Sequence, residues 1–269
     1  MIETRVTDVP AAEGARAARI TAHLSGRGPL AVLLHGFPLD HRMWLDVLQG
    51  TLRRVRTLCA IDLRGHGHSP WSGDAAHTME RMADDVAHVI GALGHEQADV
   101  CGLSMGGYVA MALHARHPGC VRSLVLTNTR AAADTPAQAA ARDDAIRSVA
   151  TRGRGAIVEA MMPKLLPEGA DLQHTARIRT MIEATPAETV IADLRGLQQR
   201  PDRRPELAGI QAPTLVVAGD RDALTPLSET REWSAQIPGA DLAVIEGTGH
   251  MSPLEDEPAW SRAVSGFWR

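Results

Sequence analysis

Short apolar runs separated by helix-patterned segments recur along the chain and restrict it to one class of architecture. Residues 30–34, 58–61, 99–103, 121–126, 214–217 and 242–245 are mostly Val, Leu and Ile without polar alternation. Such runs suit parallel strands covered on both faces, because neither face of the strand meets water. Between them, residues 79–93 place Met82, Val86, Val89, Ile90 and Leu93 at helical spacing, with Asp84, Asp85 and His88 among the polar positions. Residues 105–117, 229–236 and 258–268 read as further helices. Strand alternating with helix predicts an α/β fold, a mostly parallel central sheet flanked by helices. Val6 and residues 18–22 predict an antiparallel hairpin at the start.

The alternation stops between residues 130 and 199, where helical segments follow one another without a strand. Thr135-Pro136 and Thr185-Pro186 read as helix starts, since Pro fits the first helical position. Met161, Met162, Leu165 and Leu166 cluster in a helical segment that Pro163 is placed to kink or break. The sheet pattern resumes at Ile210. The expected division is a core over residues 1–129, a helical insertion folded over the sheet at 130–205, and the rest of the core at 206–269. Composition fits a globular chain of 269 residues, 44% apolar and 22% charged. Twenty-eight basic against 32 acidic residues give −4, a field that attracts neither nucleic acid nor an anionic membrane. No apolar run approaches the ~18 residues of a membrane span. The opening Met1-Ile2-Glu3-Thr4-Arg5 lacks the apolar stretch of a secretion signal, so a cytoplasmic protein is expected. Cys59, Cys101 and Cys120 have no metal-ligand spacing and read as small buried thiols.

The sharpest chemical signal is Gly102-Leu103-Ser104-Met105-Gly106-Gly107, between an apolar strand and a helix. A turn there points the hydroxyl out of the sheet, and the helix start supplies unpaired N–H groups and a positive dipole end. A serine hydroxyl needs a base to become a nucleophile. Of twelve histidines, His250 follows the last apolar run and so belongs at the same sheet edge as Ser104. His114 and His117 sit on a helix and His88 on a polar helix face, whereas His66 and His68 sit in a tight turn with no third metal ligand suggested. His23, His41, His77, His95 and His174 give no constellation in the sequence. Asp220 and Asp222, after the 214–217 run, both qualify as the acid that orients the base.

These motifs together resemble the α/β-hydrolase superfamily over nearly the whole chain. The order Ser104, Asp, His250 is that family's. His35-Gly36-Phe37-Pro38 is similar to its His-Gly oxyanion segment, and Asp62 to Ser69 to its D-x-R-G-x-G-x-S turn. Gly219 to Pro226 is similar to its acid motif G-x-x-D-x-x-x-P, which assigns the acid to Asp222. The resemblance implies a capped serine esterase with Ser104, Asp222 and His250 catalytic and the backbone N–H groups of Phe37 and Met105 as oxyanion donors. It implies no cofactor and no metal. The insertion corresponds to the family's cap, where Met161, Met162 and Leu165 either line an acyl pocket or pack the cap on the core. The elbow G-L-S-M-G-G resembles enol-lactonases and pimeloyl methyl-ester esterases, and it is near the cofactor-free perhydrolases. A serine at the elbow disfavours dehalogenases and epoxide hydrolases, and Leu103 stands where carbon–carbon hydrolases usually carry Asn. A small or medium carboxylic ester is the expected substrate and a lactone the runner-up. Hydroxynitrile-lyase-type chemistry and a receptor role stay open.

Overall fold

The computed structural model describes residues 1–12 and 16–268. Their strands are β1 (Glu3–Val9), β2 (Ala18–Gly26), β3 (Leu30–Leu34), β4 (Thr57–Asp62), β5 (Ala98–Leu103), β6 (Val121–Thr127), β7 (Thr214–Gly219) and β8 (Asp241–Ile245). They form one sheet in the order β1-β2-β4-β3-β5-β6-β7-β8. From β4 through β8 all neighbours are parallel, while β2 runs antiparallel to both β1 and β4. The apolar runs predicted as strands are all strands, and β3 and β5 are buried throughout. β8 departs from the expected double coverage. It is the edge strand, and only Ile245 of its residues is fully buried.

Helices α1 (Leu45–Gln49), α2 (Met79–Ala92) and α3 (Met105–Arg116) lie between the early strands. After β6 come α4 (Pro136–Arg152), α5 (Gly155–Leu165), α6 (Leu172–Ala184) and α7 (Ala187–Gln199). The core closes with α8 (Leu227–Ser234), α9 (Ser252–Glu255) and α10 (Glu257–Phe267). Thr135 caps α4 in a reciprocal capping box with Gln138, and Pro136 takes the first turn. Thr185 does not cap the helix after it. Its hydroxyl donates to the carbonyls of Pro38 and Met181 at 3.0 and 3.1 Å, and α7 starts behind Pro186. Pro163 does not end α5, which runs on to Leu165. No helix among the described residues is long and apolar enough to cross a membrane.

α4 to α7 meet the rest of the fold at α6, which packs on the 3-10 turn at His41–Trp44, and at α7, which is hydrogen-bonded to the segment after β4. Asp193 on α7 is fully buried and meets two histidines from the other side, His66 Nε2 and His77 Nδ1, each at 2.8 Å. Thr189 donates to the carbonyl of Gly65 at 3.1 Å. A Cβ on Gly196 would come within 1.7 Å of the His77 carbonyl, so this close docking excludes any other side chain. The segment after β4 is fixed from beneath by the fully buried Arg64, which forks onto both Asp85 oxygens at 2.7 Å and also pairs with Asp74. Cys59 and Cys101 lie buried on β4 and β5, and burial pushes the Cys59 thiol up to about 12.

His35, directly after β3, is wholly buried. Its Nε2 accepts from the backbone N–H of Leu63 at 3.0 Å, so the ring proton resides on Nδ1 and is given to the Gly36 carbonyl at 3.0 Å. Burial, helped by the neighbouring His66, pushes its pKa down from 6.5 to about 4. The folded chain therefore refuses a proton that the unfolded chain accepts between those two values. Stability from this group is complete above pH 6.5 and is lost as pH falls toward 4, on the order of 3 kcal/mol in all. His35→Asn keeps a donor and an acceptor but does not titrate. Denaturant unfolding across this window should show a shallower acid loss for the variant than for the wild type. Equal slopes would contradict a neutral, buried His35.

Candidate active site

The parallel register brings the C-terminal ends of β5, β6, β7 and β8 to one edge of the sheet, and the segments leaving those strands build the site. Ser104 leaves β5 with φ 54° and ψ −114°, a strained conformation for a residue with a side chain. The strain is held by packing. A Cβ on Gly102 would lie 2.1 Å from the Gly106 carbonyl, and one on Gly106 would lie 2.3 Å from that of Leu34. Only glycines let the turn close this tightly against β3. Ser104 N–H donates to Thr127 O across to β6, and Thr129 Oγ1 donates to the Ser104 carbonyl at 2.8 Å.

His250 and Asp222 meet at this edge, with His250 Nδ1 2.8 Å from Asp222 Oδ2. The other ring nitrogen, Nε2, is left free of that contact. Asp222 accepts further hydrogen bonds from the backbone N–H groups of Leu224 and Thr225 at 2.8 and 3.0 Å and from the Thr225 hydroxyl. Burial pushes its carboxyl upward, but the His250 contact and the Thr225 donors outweigh this and set it at about 2. It is thus a fixed anion across the neutral range. Asp220, the other candidate acid, is exposed and accepts from Gly247 N–H at 2.7 Å, far from this duty. The loop bearing His250 is gripped on both sides by Glu255, whose oxygens accept from Gly249 and Met251 N–H at 2.8 Å each. The carboxylate of Glu255 thus has a structural role in that loop.

Asn128 belongs to no motif in the sequence. It follows β6 at φ 44°, is wholly buried, and its Nδ2 donates to Asp222 Oδ2 at 2.8 Å and to the Gly249 carbonyl at 3.1 Å. Its Oδ1 accepts from Ser252 at 2.5 Å. One amide thus ties the acid to the segment of the histidine. The only trace in the sequence is a polar residue immediately after an apolar run.

Ser104 and His250 line the same cavity of about 530 Å³, together with Phe37 and Met105. Among the described residues, the backbone N–H groups of Phe37 and Met105 have no acceptor within the chain. Opposite them, α5 presents Ile157, Ala160, Met161 and Lys164, the spacing of one helix face. Of the three residues read from the sequence as pocket candidates, only Met161 lines the cavity. Met162, one position on, is rotated off that face and packs half-buried against the core, and Leu165 is buried among core side chains at 1% exposure. Arg130 also lines the cavity, donating to the Leu224 carbonyl. Asp134 in the wall is neutralised by Arg142 and Arg200.

A family model described as the alpha/beta hydrolase fold matches residues 29–257. The chain is 30% identical over 247 residues to a pimeloyl-[acyl-carrier protein] methyl ester esterase of Neisseria meningitidis serogroup C, covering 87% of this chain and 91% of that protein. It is 27% identical over 242 residues to 3-oxoadipate enol-lactonase 1 of Acinetobacter baylyi, covering 89% and 88%. A thermophilic esterase from Thermogutta terrifontis, solved with malate bound, superposes with a TM-score of 0.94 at 32% identity over 98% of each chain. The Thermogutta esterase thus shares this sheet and its helices. The chain belongs to the α/β-hydrolase family.

Proposed function

We propose that the chain is a serine hydrolase that cleaves carboxylic esters of small or medium acyl groups through an acyl-enzyme. The observation that carries this reading is the meeting of a strained elbow serine and an Asp-held histidine at one cavity that also contains two unpaired backbone N–H groups. In this reading Ser104 attacks the ester carbonyl carbon while His250 Nε2 takes its proton. Asp222, held as an anion, fixes the tautomer of His250 and stabilises its cation. The oxyanion accepts hydrogen bonds from Phe37 and Met105 N–H, each worth about 3 kcal/mol in the transition state. His250 then protonates the leaving alkoxide. Water activated by the same histidine attacks the acyl-enzyme and restores Ser104. The steps use acid–base and nucleophilic side chains, two backbone N–H donors and one water.

The four helices after β6 are the cap in this reading, and Met161 bounds the acyl site from above the serine. Lactone hydrolysis is the second reading, favoured by the similarity to 3-oxoadipate enol-lactonase 1. It uses the same steps, except that the leaving alkoxide stays tethered to the acyl group. A panel of esters and lactones of varied acyl and alcohol length separates the two by kcat/KM.

The roles make different demands on three polar residues. With a chromogenic ester, Asp222→Asn should lower kcat roughly 10⁴-fold, approaching Ser104→Ala, because an amide favours the wrong tautomer of His250. Asp220→Asn should change kcat little. Asn128→Ala should fall between them, since it leaves the acid intact but unties it from Gly249. A dead Asp220 variant beside an active Asp222 variant would reverse the assignment.

The cap wall makes a second prediction. Met161→Ala should raise kcat/KM for longer acyl esters relative to acetate, each accommodated methylene contributing on the order of 1 kcal/mol. Met162→Ala should leave the acyl-length profile unchanged and lower Tm, as expected of a packing residue. A profile that shifts for Met162 and not Met161 would place the acyl group elsewhere.

A further inference from the structure

Away from the cavity, the β2–β4 side of the sheet gathers histidines that show no relation in the sequence. His23 stands on β2, His41 opens the turn of 3-10 helix at His41–Trp44, Asp62 ends β4, and His68 lies in the turn that follows. Antiparallel pairing sets Thr21 opposite Asp62, so His23, two residues on, shares the face of the carboxylate. One donor atom from each of the four side chains lies within 4.8 Å of all the others. His23 Nε2 is 3.1 Å from Asp62 Oδ2, His41 Nδ1 is 2.8 Å from Asp62 Oδ1, and His68 Nδ1 is 3.4 Å from His23 Nε2 and 3.6 Å from Asp62 Oδ2.

These separations bracket those of a tetrahedral site, where bonds of ~2.0–2.1 Å put the donor atoms ~3.3–3.4 Å apart. The surroundings are also those of a ligand set. Asp62 is oriented by the backbone N–H groups of His41 and His68 at 2.8 and 2.9 Å, so its charge does not need three imidazoles to be satisfied. His23 Nδ1 faces the Thr4 hydroxyl at 3.4 Å, a partner outside the cluster for the ring nitrogen that does not point inward. The rings of His23 and His41 stack at 3.5 Å, holding both buried ligands ready, while the side chain of His68 is 66% exposed and leaves a path from solvent. Three imidazole nitrogens and one carboxylate oxygen suit Zn²⁺ and neighbouring late first-row ions, not Mg²⁺ or Ca²⁺.

We propose that His23, His41, Asp62 and His68 bind one divalent transition-metal ion of the zinc class. None of the four lines the cavity at Ser104. The ion cross-links β2, the segment after β3 and the turn after β4. Because His41 lies a few residues beyond Phe37, it braces the segment that carries one of the unpaired N–H groups.

The test uses the full chain without a histidine tag, stripped of metal by chelation and dialysed. Titration with Zn²⁺ should give one site per chain and raise Tm, with no response to Mg²⁺ or Ca²⁺. Co²⁺ in its place should give the intense visible bands of tetrahedral nitrogen and oxygen coordination. His68→Gln removes an exposed ligand without disturbing the core and should weaken Zn²⁺ binding about 10-fold or more. His41→Gln should do the same, with the metal-free Tm of each variant recorded as the check on folding. His88→Gln, an exposed histidine on α2, should bind like the wild type. The proposal is overturned if the stripped chain takes up no Zn²⁺, or if uptake is unchanged in both the His68 and His41 variants.

Discussion

The close approach of the β5–α3 turn to the carbonyl end of β3 is the constraint on which the site depends. Gly106 lies where any side chain would strike Leu34, and Gly102 where any would strike Gly106 itself. That contact holds Ser104 at positive φ, and positive φ turns its hydroxyl away from the sheet at the point where α3 begins. Met105 N–H, at the start of a helix, has no partner among the described residues, and Met105 lines the same cavity as Phe37 from the segment after β3. A substitution of either glycine would move the serine and the N–H pair together. The geometry of the site is thus a consequence of backbone packing, with the side chains of the cavity arranged around it.

Buried charge takes a second share of the architecture. Arg64 with Asp85 and Asp74, Asp193 with His66 and His77, and Asp222 with His250 and Asn128 are all removed from water. Each carboxylate carries several donors, which is the condition under which an ion is tolerated inside a protein. They fix the segment that follows β4 against helices α2 and α7, and join the segments that follow β6, β7 and β8 to one another, where irregular backbone has no sheet partner. Polar networks here do the positioning that the ladder does within the sheet.

The strands and the elbow were legible in the sequence because each is a local pattern. A fully buried parallel strand is an apolar run, and a glycine-flanked serine between strand and helix is a short motif. Asp222 and Asp220 were not separable by residue logic alone, since both follow β7. The distinction lies in which carboxylate reaches His250, 28 positions away. The histidine network escaped for the same reason. His66 and Asp193 are 127 positions apart and His23 and Asp62 are 39 apart, and no periodicity links them. Met161, Met162 and Leu165 form one apolar cluster in the sequence, but the rotation of α5 and the depth of its end separate them. Asn128 left no signal beyond its place after β6.

Activation of Ser104 as a nucleophile within this fold is the central claim, and covalent capture tests it directly. The chain is treated with an organophosphonate ester, and intact mass, peptide mapping and residual esterase activity are read from the same sample. One phosphonyl group per chain on the peptide containing Ser104, with activity lost in proportion, is the result expected. Labelling of another serine with loss of activity, or esterase activity that persists when Ser104 is fully modified, would contradict the account.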